Sequence, residues 1–169
     1  MSQSPEPVNF YTVLQRRLHW LVLLLLALQY SLQVPMKAAM ATIEQGQTLS
    51  FLQFMVTTAH TWGGISIAAI MIWRWQLRRR RVPPGAGNLT PMHERVVRWH
   101  HISLYVVLVL MASTGALFYF LELQQAAQWH EWGKWLLLVL VGAHIAGALS
   151  HAIRGDTVFQ RMMGRGSLR

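Results

Sequence analysis

No cysteine occurs among the 169 residues. That excludes disulfides, iron–sulfur clusters and thiolate-bound metal, and it excludes covalent cofactor attachment through a C-x-x-C-H sequence. Acidic residues are almost as scarce: Glu6, Glu44, Glu94, Glu122, Glu131 and Asp156 are all there are. With 12% charged residues against 53% apolar ones, and a mean hydropathy of +0.30, the chain has too little polar surface for an ordinary soluble domain. Internal repeats are also missing, and the one biased tract is the arginine run 78–81.

What the chain does have is long apolar runs. A hydrocarbon core about 30 Å thick takes roughly 20 residues of helix to cross, and spans at approximately 16–35, 51–77, 99–121 and 130–153 meet that length. The expected fold is an all-α integral membrane protein, a four-transmembrane-helix bundle that forms one membrane domain over residues 1–169. Thirteen arginines lie before span one, around the connector of spans two and three, or after span four, whereas Lys37 and Lys134 alone lie on the other side. This bias predicts that both termini and the Arg78–Arg98 connector are cytoplasmic. A basic run abutting a span is a topological stop signal, so nucleic acid is not an expected partner of the +9 charge. Trp20, Trp73, Trp75 and Trp99 gather at the basic ends of the spans, and Trp62, Trp129, Trp132 and Trp135 at the opposite ends, as two interfacial belts would.

Arg16-Arg17, the first apolar run and Ala39-Met40-Ala41 share the layout of a secretory signal. The run exceeds the usual 7–15 residues of a signal core, so span one is expected to be retained. Between spans one and two, residues 35–50 leave room for a short surface helix. Pro83–Asn88 is a loop by composition. Thr90 followed by Pro91 predicts a helix start, and the short stretch Glu122–Gln128 makes spans three and four antiparallel neighbours.

Four of the eight histidines, His19, His60, His130 and His144, sit inside or at the ends of the apolar runs. Ionisable side chains in a bilayer are costly and rarely kept without a role, and neutral imidazole is a usual donor to haem iron. Without cysteine any haem is b-type, ligated by His/His or His/Met. His130 and His144 are fourteen residues apart, about four turns and about 21 Å of helix. One helix face can thus serve two haems stacked across the membrane. His151 shares that face; depth reckoned from Arg78 matches His144 with His19, whereas depth reckoned from Arg154 favours His151. Gly63, Gly64, Gly133, Gly147 and Ala148 lie three or four residues after these histidines. They leave the helix surface bare for a flat macrocycle, or equally for close helix packing.

Leu18-His19-Trp20, the run Ala59-His60-Thr61-Trp62-Gly63-Gly64, Arg74, Trp129-His130-Glu131 and the run from Gly142 through His144 to His151 follow one another on the four spans. Together, over about residues 10–163, they resemble the bacterial cytochrome b561 family. The resemblance implies a four-helix bundle in the bacterial inner membrane with two b haems, His19 and His144 holding the inner one and His60 and His130 the outer. It also implies electron exchange with quinone and, in some members, oxidation of superoxide at the outer face. The adjacent His100-His101 pair is a departure, and neither residue receives a role from the family pattern.

Further candidates follow from charge. Arg16, Arg17 and Arg74 are candidate counter-charges for propionates of the inner haem, because guanidinium pairs carboxylate bidentately. Lys134, one turn beyond His130, is a candidate partner for a propionate or a small anion. His101 and His151 are candidate quinone or propionate contacts, and His93 is expected in solvent. Three functions are compatible with these residues. One is an oxidoreductase passing electrons from superoxide or another donor to quinone, helped by steering at a cationic outer opening. Another is a haem-b electron-transfer subunit that docks a larger dehydrogenase or hydrogenase-type complex. The least favoured is a histidine-based ion transporter, because all six acids lie at or outside the span ends.

Overall fold

Four long helices make up almost all of the described residues, which in this computed structural model are 11–80, 90–153 and 162–163. They are α1 (Val13–Glu44), α2 (Phe51–Arg80), α3 (Pro91–Leu121) and α4 (Gln124–Ile153). Each is long and apolar enough to cross a membrane. The Pro83–Asn88 loop, Arg81 and the arginines from Arg154 onward lie outside the described residues.

Local chemistry sets the helix ends. Thr12 and Gln15 form a reciprocal capping box at the start of α1, with Thr12 Oγ1 accepting from the Gln15 amide at 3.1 Å and Gln15 Oε1 accepting from the Thr12 amide at 3.0 Å. Ser50 and Gln53 do the same for α2. Thr90 caps α3 with Pro91 directly behind it, where the missing N–H costs nothing. Arg78, Arg79 and Arg80 close α2, favourably placed against the negative end of its dipole. The expected break after span one does not occur: α1 runs through Pro35 to Glu44. Proline removes one backbone donor, a loss that membrane helices accommodate. The chain turns instead at Gly46, whose φ of 68° suits glycine. The last connector is likewise shorter than the sequence suggests, because α4 begins at Gln124.

The helices pack in chain order, α1 on α2, α2 on α3 and α3 on α4. Six buried side chains, Val22, Leu26, Ile67, Met71, Leu108 and Leu137, form the core. On every helix these residues fall between the two levels at which histidines occur. Val22 and Leu26 follow His19, Ile67 and Met71 follow His60, Leu108 follows His101, and Leu137 is seven residues from both His130 and His144. A buried apolar waist therefore separates two polar levels. Outside, the surface is as apolar as the core: Leu24, Val139 and Leu110 are exposed at mid-span, which suits hydrocarbon rather than water. All eight tryptophans are exposed near the span ends.

Candidate functional site

Both polar levels are built around a facing pair of imidazoles. At the end opposite the arginines, the ring centres of His60 on α2 and His130 on α4 are 6.3 Å apart. At the basic end, His19 on α1 and His144 on α4 are 6.1 Å apart. Metal–imidazole bonds of about 2.0–2.1 Å, with about 1 Å more from nitrogen to ring centre, put two rings that share one metal about 6 Å apart. Both pairs have that spacing. Among the described residues no group of three or more His, Asp or Glu is arranged to hold a metal ion alone.

The His60–His130 pair faces a cavity of about 380 Å³ reached by all four helices, within the size range of cofactor pockets. Its wall is mainly apolar, with Ile67, Leu108 and Leu137 at the waist side and Gly64 and Gly115 leaving helix surface bare. His130 Nδ1–H donates to the Met111 carbonyl at 2.9 Å, which leaves Nε2 as the bonding nitrogen and fixes the ring plane. His60 Nδ1 is buried without a partner. A side chain at Gly115 would place its Cβ 3.1 Å from His130 Cε1. Gly115 and Met111 are thus parts of the site that sequence reasoning missed; their only signal was their place on span three, which carries neither histidine of the pair.

Lys134 lies at the mouth of this cavity but is not a lone cation. Its ammonium bonds Glu131, which also accepts from Lys37 at 3.3 Å across the seam between α1 and α4. Glu44 lines the same mouth, so two cations meet two carboxylates where the sequence suggested a cationic opening. Tyr30 OH donates to the Lys134 carbonyl at 2.8 Å and ties the helices at the same level.

At the basic end Arg74 donates to the Gln15 carbonyl at 2.7 Å, and its Nη2 lies 3.4 Å from His19 Nδ1. Of the three candidate arginines, it is the one set against a histidine pair. Arg16 and Arg17 line a separate groove with Trp20. Two further rings crowd His144: His101 at 5.3 Å, edge-on, and His100 at 5.9 Å, near parallel. His101 Nδ1–H donates to the Val97 carbonyl at 2.7 Å. His100 Nε2 is buried without a hydrogen-bond partner. His151 is half-buried in the last turn of α4, and His93 Nδ1 pairs with the Thr90 hydroxyl at 2.6 Å on an exposed turn.

Four membrane-length helices with two levels of paired, half-buried imidazoles fit a membrane cytochrome of the b class. The model of the prokaryotic cytochrome b561 family matches residues 11–165, and the chain belongs to that family. It is a multi-pass membrane b-type cytochrome, a haem-b protein of electron transport. No curated protein and no solved structure matches the chain.

Proposed function

We propose that the chain holds two b haems, one between His19 and His144 and one between His60 and His130, and passes electrons across the bacterial inner membrane to or from quinone. The supporting observation is the double pairing: two levels of facing imidazoles, each at metal-sharing distance, separated by an apolar waist. In this reading the basic end faces the cytoplasm, as its arginines favour. Haem b, when bound, supplies a one-electron couple.

The chain's own residues perform the remaining tasks. The Met111 carbonyl holds His130 in the tautomer that presents Nε2. The contact of Arg74 with His19 Nδ1 needs that nitrogen as acceptor, the opposite tautomer to one whose Nε2 binds metal. Metal binding through Nε2 would require Arg74 to release that contact, and its guanidinium would then be available to a carboxylate of the inner site. The waist residues Leu108 and Leu137 keep water from between the two levels. Neutral imidazoles add no net charge to the hydrocarbon.

Quinone is the partner this geometry supports best. Both histidine pairs lie on the membrane-length helices, which places them in this reading within the bilayer that dissolves it, and the described connectors are only a few residues long. An anionic donor such as superoxide meets a mouth where Lys37 and Lys134 already share Glu131, with Glu44 lining the same cavity. The reading is tested in vesicles that enclose ferricyanide: added ubiquinol is expected to reduce the trapped oxidant many-fold faster with the protein than without it. Equal rates would overturn it.

A further inference from the structure

We propose that the outer face of α1 at the basic end carries a binding site for one anionic phospholipid. A groove of about 400 Å³ lies there, lined by Arg16, Arg17, Trp20, Leu21 and Leu24, with Met162 and Met163 forming its other wall. It is separate from the cofactor cavity. Leu18, Val22 and Leu26 turn the opposite face of α1 into the bundle and are buried, while Trp20, Leu21 and Leu24 are exposed.

The order of groups along the groove follows the order of groups in a lipid. Two guanidiniums come first and the amphipathic indole one turn later; Leu21 and Leu24 then run about 6–12 Å deeper at 1.5 Å per residue. Arginine matches phosphate bidentately, tryptophan belongs at headgroup level, and the leucines meet an acyl chain. Basic pockets between helices at the cytoplasmic side are where acidic lipids bind.

The charge balance of the groove agrees. Among the described residues neither Arg16 nor Arg17 makes an ion pair. Three of the four described acids, Glu44, Glu122 and Glu131, lie at the opposite end of the bundle, and Glu94 lies on α3, which contributes nothing to the groove. Two guanidiniums with no carboxylate partner among the described residues select a phosphate over the neutral carbonyls of a quinone. The flexible Met162 and Met163 side chains can fit an irregular chain.

The test uses the full chain, delipidated in detergent and offered equimolar phosphatidylglycerol and phosphatidylcholine, with bound lipid counted by native mass spectrometry. Phosphatidylglycerol is expected to be retained on the order of tenfold better. Arg16→Gln with Arg17→Gln should abolish the preference, and the corresponding double lysine variant should keep most of it. Met163→Glu supplies an internal carboxylate and should give the same loss with every arginine in place. Equal retention of the two lipids, or a preference that survives both the double glutamine and the Met163→Glu variants, would overturn the proposal. So would displacement of phosphatidylglycerol by a short-chain quinone.

Discussion

A chain carrying His60→Ala or His130→Ala is expected to purify with one haem in place of the proposed two, and the haem that remains should be the one at the basic end. The two rings of the pair come from different helices, α2 and α4, and face one cavity, so either substitution leaves a single imidazole at that level. The basic-end pair lies about 21 Å further along α4, beyond Leu137, and keeps its geometry. His19→Ala or His144→Ala gives the converse loss. The fold survives in both cases, because spanning depends on the length of the apolar runs and on internally satisfied helices. Haem per protein, with the redox titration of what remains, checks this. If His151→Ala loses a haem and His144→Ala does not, the pairing of His19 with His144 is wrong.

The second large effect needs no change to a histidine. Gly64 lines the cavity, and a Cβ built there meets nothing within 4 Å, so Gly64→Phe projects a ring into the space a macrocycle would fill. We expect loss of the haem at the His60–His130 level and retention of the other, with the protein still inserted. Gly115→Val acts on the ligand instead: its Cβ would stand 3.1 Å from His130 Cε1 and 3.2 Å from Nδ1, pushing the ring from the Met111 carbonyl. A β-branched side chain cannot retreat from such contacts, and the expected loss is most of that haem. Gly142→Ala, also with nothing within 4 Å but away from the cavity, leaves both in place. Absorption spectra and haem content distinguish the three variants. Two full haems in Gly64→Phe would show that the cavity is not the cofactor site.

The sequence carried the spans, the Thr90–Pro91 start of α3 and the histidines that the structure sets face to face, since each rests on a local signal: apolar length, capping chemistry, or an ionisable group in an apolar run. It did not carry the direction in which each helix turns its side chains. In a soluble helix a polar face marks the outside, but here the outward face is as apolar as the core, with Leu24 and Val139 exposed beside buried Val22 and Leu137. In sequence Arg16, Arg17 and Arg74 are equivalent candidates, but the structure sets Arg74 against His19 and places the other two on the outer groove. Lys134 suggests an anion partner in sequence, but the structure gives its ammonium to Glu131, three residues earlier, which Lys37 reaches from another helix across 94 residues. Gly115 and Met111 carry no chemistry of their own. They matter through the His130 ring, a contact between α3 and α4 that no spacing announces. Pro35 suggested a boundary where α1 continues, because a bundle can absorb one missing hydrogen bond.

The most direct measurement is the haem content of the purified wild-type chain, by pyridine haemochrome against protein, with electron paramagnetic resonance of the oxidised form. Paired imidazoles at two levels predict two b haems per chain, both low-spin and both six-coordinate. A single haem, or a high-spin signal showing an iron with one open axial position, would contradict the account.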